Sequence, residues 1–166
     1  MAEREIETTL LPHLDSAYNL ARWLSRSEDD AKDITQEAFA RALRFFPSLK
    51  GSAKPWLLSI VRNTFYTSIE QNRRTQHEPF DEEQHGAADD ALGPELLSMR
   101  NADVVRMRSA VEALPAEYRE AIVLRELEGF SYAEIAEITG VPIGTVMSRI
   151  SRARAKAETL LRRGGK

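Results

Sequence analysis

Basic and hydroxyl side chains cluster on one side of a helical pattern near the C-terminus. Residues 143–166 include seven Lys or Arg residues and a single acid, Glu158. At 3.6 residues per turn the apolar residues of this segment share one side. The neighbouring side holds the polar candidates Thr145, Ser148, Arg149, Arg152 and Lys156. Arg can bind guanine edges and phosphate, and Ser or Thr can bind either phosphate or bases, so we expect a DNA-binding helix. The alternative is a solvated basic face.

The residues just before this helix predict a helix-turn-helix. Ser131 can cap a helix, and Glu134 three residues later completes a capping box. Gly140 stands where a left-handed C-terminal cap is needed. A helix, a short glycine-containing turn and a second helix are typical of a DNA-binding helix-turn-helix. This context favours DNA binding over a solvated basic face.

A second candidate surface mixes basic and aromatic residues over residues 50–74. Its members are Lys50, Lys54, Arg62, Arg73 and Arg74 with the aromatics Trp56, Phe65 and Tyr66. This composition suits the stacking of bases from a single strand, and Asn63 could hydrogen-bond to a base edge. The alternative is that the aromatic residues pack in the core, which we expect of Trp56 together with Ile60.

Three carboxylates, Asp30, Asp33 and Glu37, fall together beside the predicted apolar stripe of one helix, which consists of Ala31, Ile34, Ala38, Ala42 and Phe45. Paired carboxylates can serve as a metal or acid–base site, but no His, nucleophile or glycine-rich phosphate loop accompanies them. The chain has no cysteine, which excludes disulfides and thiolate zinc sites, and its three histidines are scattered. We therefore expect no enzyme: no catalytic residues, no metal site and no cofactor.

The elements that position these residues are predicted to be helices. The expected ranges are 14–24, 27–47, 55–72, 102–114, 116–128, 131–139 and 143–161. Between them, residues 75–98 contain seven acids and neither Lys nor Arg, a composition typical of a disordered segment. We predict an all-α fold of two small helical domains, residues 1–74 and 99–166, joined by a flexible acidic linker over residues 75–98.

The apolar segments are too short for a membrane span. The longest, residues 56–61, is interrupted by Ser59, whereas a span needs about 18 residues. The N-terminus lacks the basic start and apolar run of a signal peptide. We expect a cytoplasmic protein with no membrane insertion.

Four segments, in this order, resemble the extracytoplasmic-function (ECF) sigma factors of bacteria. They begin at Asp30 (DAKDITQEAF), Lys54 (KPWLLSIVRN), Leu114 (LPAEYREAIVLRELEGFSYAEIA) and Gly144 (GTVMSRISRAR). The resemblance implies that the first domain is like sigma region 2 and the second like the helix-turn-helix of region 4. It also implies a function: binding core RNA polymerase, directing it to specific promoters and assisting DNA opening.

The resemblance implies three binding surfaces. The docking surface for the polymerase clamp helices is Asp30, Asp33, Gln36 and Glu37, and the polymerase flap is a further implied contact. Asn63 and the loop over residues 48–55 match the part that captures a flipped base of the −10 element. The −10 surface implied in this way is Lys54, Trp56, Arg62, Asn63 and Tyr66. The −35 surface is Thr145, Ser148, Arg149, Arg152 and Lys156. Met147 stands where many members carry Arg or Lys.

The resemblance also implies an anti-sigma factor as a partner, and it likens the acidic linker to a connector that threads the basic RNA-exit path of the polymerase. A competing hypothesis is a stand-alone helix-turn-helix regulator that binds a duplex operator without polymerase. A third is a sigma-like mimic that only sequesters a partner, for which Arg149 and Arg152 would be superfluous.

Overall fold

The computed structural model describes residues 2–76 and 99–164, and all regular structure in these ranges is helical. The N-terminal domain consists of α1 (Ala2–Leu10), α2 (Leu14–Ser25), α3 (Glu28–Phe45) and α4 (Ala53–Gln76). The C-terminal domain consists of α5 (Met99–Glu112), α6 (Ala116–Ile122), α7 (Tyr132–Thr139) and α8 (Ile143–Gly164). The predicted all-α fold is confirmed. The predicted linker lies outside the described residues, except for residues 75 and 76, which continue α4.

The N-terminal domain packs α2, α3 and α4 against one another. Ser27 begins α3, because its side chain accepts a hydrogen bond from the backbone N–H of Asp30 at 3.3 Å. The buried row of α3 is rich in small residues, which let neighbouring helices approach closely: Ala31, Ile34, Ala38 and Ala42. The predicted last member of this row, Phe45, is instead half exposed at the helix end.

Helix α4 places Trp56 and Ile60, which we expected in the core, at its edge rather than at its centre. Its fully buried apolar residues are Leu57, Leu58, Val61 and Phe65, whereas Trp56 and Ile60 are only partly buried against the core. Helix α1 was not predicted. It begins the described chain and places Leu10 in the core, with Ile6 partly buried beside it.

The C-terminal domain is built around α8. Its apolar stripe, Val146, Ile150, Ala153 and Ala157, is buried as predicted, and Leu160 and Leu161 are half-buried. The capping box is formed: the Ser131 hydroxyl accepts from the Glu134 N–H at 3.1 Å, and the Glu134 carboxylate accepts from the Ser131 N–H at 2.9 Å. Gly140 ends α7 with φ of +77°, a left-handed conformation that glycine adopts without steric cost.

The two domains are in direct contact. Helix α6 packs against α2, and α7 packs against α4. The buried apolar residues of both domains form one continuous cluster. Between them lies Arg119, which is fully buried and reaches from α6 to the end of α2. The domain contact therefore combines apolar packing with buried polar groups.

Candidate nucleic-acid and protein-binding surfaces

The outward face of α8 displays part of the predicted duplex-binding set. Arg152 and Lys156 are exposed, on the side away from the buried stripe. Thr145 and Ser148 are half-buried in the first turns, where the Ser148 hydroxyl donates to the Thr145 carbonyl at 3.1 Å. These four residues line one side of the helix, as the helical periodicity predicted.

Arg149, the fifth predicted member, is engaged with an acidic residue. Its Nη2 lies 3.6 Å from Oε2 of Glu117, and the Arg149 side chain is 19% exposed. Glu117 belongs to α6, so the ion pair ties α8 to α6. A phosphate or base that binds Arg149 must compete with this carboxylate.

Sequence reasoning missed a second exposed flank of α8. Ile143 and Met147 are about half exposed there, and two turns beyond Met147 the exposed Arg154 pairs with Glu126. The Arg154 Nε donates to Oε1 of Glu126 at 3.0 Å. The position of Arg154 on the helical wheel, away from Arg149, was the available signal for this separation.

The predicted −10 residues all lie on α4, but they differ in exposure. Asn63 is exposed, and its Oδ1 accepts from Nη1 of Arg62 at 3.2 Å. Trp56 is partly buried against the core. Lys54 forms an ion pair with Glu128 of the other domain at 2.8 Å, and its Nζ lies 5.4 Å from the centroid of the Phe130 ring.

Arg62 and Tyr66 are drawn into the domain contact. The Arg62 guanidinium lies 4.7 Å from the centroid of the Tyr66 ring, and its Nε donates to Oε2 of Glu120 at 3.0 Å. The Tyr66 hydroxyl is buried with no hydrogen-bond partner within the described part of the chain. Burial raises the pKa of Tyr66, which is neutral at physiological pH.

The predicted polymerase-docking residues form an exposed acidic ridge along α3. All four, Asp30, Asp33, Gln36 and Glu37, are exposed. Asp30 and Asp33 border a groove whose far wall is α4, with Ser68 and Asn72. Glu37 continues the ridge and holds Arg41 at 3.2 Å. Carboxylates beside a groove that mixes polar side chains with the apolar Ile34, Phe65 and Ile69 suit a basic, amphipathic protein element.

The described residues hold no cluster of three or more His, Asp or Glu side chains arranged to bind a metal ion. Over the same ranges, no helix has the length and apolar character required to cross a bilayer.

Comparison with known proteins accounts for both domains. The family model of sigma-70 region 2 matches residues 10–75, and that of sigma-70 region 4 matches residues 105–156. The ECF RNA polymerase sigma-E factor of Escherichia coli K12 is 38% identical over 147 residues, covering 81% of this chain and 77% of that protein. This chain belongs to the ECF sigma factor family.

Further relatives extend the comparison. The ECF sigma factor SigE of Mycolicibacterium smegmatis is 35% identical over 150 residues, which cover 90% of this ECF sigma factor and 58% of SigE. The sigma factor RpoE of Bartonella quintana, solved in complex with the anti-sigma factor NepR, has a TM-score of 0.77 and 30% identity, and the match covers 96% of this chain and 98% of RpoE. CnrH, solved with the cytosolic domain of CnrY, shares the fold, with a TM-score of 0.66 at 24% identity, covering 96% and 88% of the two chains.

These matches favour the sigma factor over the stand-alone regulator. A helix-turn-helix regulator would account for the C-terminal domain alone, whereas the matches also cover the N-terminal domain. The comparisons confirm the family and the two-domain helical architecture inferred from the four sequence segments.

Proposed function

We propose that this chain is a promoter-specificity subunit of bacterial RNA polymerase and acts in the cytoplasm. It binds the core enzyme, directs it to its promoters and helps to open the DNA. The observation that carries this proposal is the union, in one chain, of a region 2 domain and a region 4 helix-turn-helix. One domain recognises the −10 element and the other the −35 element, and the core enzyme holds both in place.

The acidic ridge of α3 is the proposed contact with the polymerase clamp helices. Asp30, Asp33, Gln36 and Glu37 are exposed together along one helix, beside the groove against α4. Opposite charges on the two partners steer association and fix its register. The opposite side of α3 packs against α2 and α4.

Helix α8 is the proposed reader of the −35 element in the major groove. Arg152 and Lys156 are exposed for phosphate or base contacts, and Thr145, Ser148 and Arg149 flank them. A major-groove helix needs one face packed into its own domain and the other free for DNA. The burial of Val146 and Ile150 behind these residues meets that need.

Helix α4 is the proposed site for the melted −10 element. The surface consists of Lys54, Trp56, Arg62, Asn63 and Tyr66. Capturing an unstacked base costs a few kcal/mol, which stacking and polar contacts must offset. Asn63 offers an exposed amide at the centre of this surface, with the Arg62–Tyr66 pair beside it.

We also propose an anti-sigma factor as a regulatory partner. The support is the likeness of this chain to RpoE, whose solved structure contains the anti-sigma factor NepR. The acidic ridge and the α8 face are the surfaces such a partner must cover to block polymerase or DNA.

Reconstitution with purified core RNA polymerase tests the proposed function. We expect the chain to give promoter-selective transcription from genomic fragments, with start sites preceded by a shared pair of sequence elements. Absence of a complex with core polymerase would contradict the proposal, and so would tight operator binding that needs no polymerase.

A charge reversal tests the docking ridge. Asp33→Arg is expected to weaken core-polymerase affinity by about tenfold or more, because it places a like charge against a basic partner. Glu7→Arg, on the exposed side of α1, is the control with the same change in charge. Equal affinities of the two variants, measured by fluorescence anisotropy with labelled chain, would exclude the ridge as the docking site.

A further inference from the structure

We propose that α6 latches the two domains together in a self-inhibited arrangement, in which its side chains occupy cationic groups of both DNA-binding surfaces. The proposal rests on the proposed function of those surfaces. Three side chains of α6 support it: Glu117 faces Arg149, Arg119 joins the domains, and Glu120 faces Arg62.

Arg119 forms the central hydrogen-bonded contact between the two domains. Its Nε donates to the Trp23 carbonyl at 2.6 Å and its Nη2 to the Leu24 carbonyl at 2.7 Å. These carbonyls lie in the last turn of α2, where a helix leaves its C=O groups without intrahelical partners. A cation there also meets the negative end of the helix dipole. Arg119 of one domain thus caps a helix of the other.

Glu120 occupies a cation of the proposed −10 surface. Its side chain is 1% exposed, and its Oε2 holds Nε of Arg62, whose own side chain is 15% exposed. Arg62 in turn covers the ring of Tyr66. Until α6 moves away from α4, a nucleic-acid strand has little access to Arg62 and none to the buried Tyr66 hydroxyl.

Glu117 restrains the −35 side. Its carboxylate lies 3.6 Å from Arg149 of α8. One short helix therefore sets a carboxylate against a cation from each DNA-binding surface, where a DNA phosphate would otherwise bind. The Glu117–Arg149 pair lies within the C-terminal domain, so separation of the two domains releases Arg62 but not Arg149. A DNA phosphate must then compete with Glu117 for Arg149.

The contacts that hold the two domains together are weak enough to be broken. Glu120 Oε1 is buried with no hydrogen-bond partner in the described structure, a cost that offsets part of the ion pair. Buried ion pairs repay little more than the desolvation of their two charges. At the rim, Lys54–Glu128 and the stacking of Arg108 over Trp23 add contacts that water can replace. Polymerase or promoter DNA can therefore supply the free energy of opening.

The absence of cysteine permits a direct test on the full chain. Cysteines introduced by Arg44→Cys and Thr159→Cys, both at exposed positions of different domains, accept a donor and an acceptor dye. Single-molecule energy transfer then counts closed and open molecules. Glu120→Gln keeps the shape but leaves Arg62 buried without its counter-charge, so we expect the open fraction to rise about tenfold. Glu137→Gln, with the same charge change at an exposed position of α7, should leave it unchanged.

Binding of DNA tests the self-inhibition separately. The probe is a mixed-sequence single strand of about 20 nucleotides, long enough to cross the α4 surface. Glu120→Gln should bind it several-fold more tightly than Glu137→Gln at the same salt concentration. Equal open fractions for the two variants would overturn the latch. Opening without tighter DNA binding would overturn the self-inhibition.

A milder variant guards against misfolding. Glu128→Gln removes the rim pair with Lys54 and should raise the open fraction in the same direction, by about twofold, with helicity unchanged. If Glu120→Gln loses helicity, this variant decides the question. Neither assay contains polymerase, so a failed latch leaves the sigma-factor function untouched, and failed reconstitution leaves the opening measurement valid.

Discussion

At the scale of single residues, hydrogen-bond partners that are close in sequence can be predicted, whereas distant partners cannot. Ser131, Glu134 and Gly140 were predicted correctly because each acts on a backbone group within four residues. Arg119 and Glu120 were not predicted, because their partners Trp23 and Arg62 lie 96 and 58 residues away. Sequence spacing carries no signal for these long-range contacts, because they form only when α6 packs against the N-terminal domain.

The capping box of α7 gives a prediction at this scale. Ser131→Ala should lower the free energy of unfolding by about 1 kcal/mol, because the Glu134 N–H loses its acceptor. Urea denaturation followed by circular dichroism measures the change. Ser151→Ala, at an exposed position of α8, is the control and should stay within about 0.5 kcal/mol. An equal loss in both variants would refute the cap's contribution.

The same box carries a pH dependence. The backbone N–H of Ser131, followed by its side chain, lowers the pKa of Glu134 from its ordinary value of 4.5. Because the pKa is lower in the folded chain, the stabilisation is complete above the ordinary value and is lost as the pH falls through the folded value. The stability difference between the wild type and Glu134→Ala should therefore shrink in acid.

At the scale of helices, periodicity was a good guide to buried faces and a weaker one to ends. The stripe of α8 was predicted from its repeat of apolar residues, since an amphipathic helix has only one side to bury. Phe45 was placed wrongly because it follows the repeat of α3 yet lies at the last residue of the helix, where its side chain is half exposed. Helix α1 escaped prediction because it buries a single residue fully, Leu10.

The two flanks of α8 predict unequal effects of removing an arginine. Arg152→Ala should weaken binding to a promoter duplex by about 1–3 kcal/mol if Arg152 contacts a base. Arg154→Ala removes the same charge from the other flank, where Glu126 already neutralises it, and should have a much smaller effect. Titration of each variant's polymerase holoenzyme with labelled promoter DNA compares them. A larger loss for Arg154→Ala would reverse the assignment of the DNA-reading flank.

At the scale of the whole molecule, the sequence predicted two helical domains but not how they meet. Composition indicated the boundary between them, since residues 75–98 contain seven Asp or Glu residues and neither Lys nor Arg. It gave no sign that Arg62 and Tyr66, read as candidates for stacking bases, also form the domain contact. A surface that can bind DNA and a surface that can bind its own chain have similar compositions, so composition cannot separate the two roles.

Domain closure should resist salt. Raising NaCl from about 0.1 M to 1 M shortens the Debye length from about 10 Å to about 3 Å and weakens exposed ion pairs. The Arg119 bonds to backbone carbonyls and the Glu120–Arg62 pair are buried, so screening acts on them far less. We expect the closed fraction, measured with the same dye pair, to change by less than about twofold. Extensive opening in high salt would show that rim pairs such as Lys54–Glu128 hold the domains together.

The cap on α2 has a consequence for how the chain can diverge. Arg119 grips main-chain oxygens, which every amino acid carries, so substitutions at positions 23 and 24 leave its hydrogen-bond acceptors in place. The two hydrogen bonds themselves need no matching change at position 119, whereas the Trp23 ring over which Arg108 stacks and the buried Leu24 side chain remain constrained by packing.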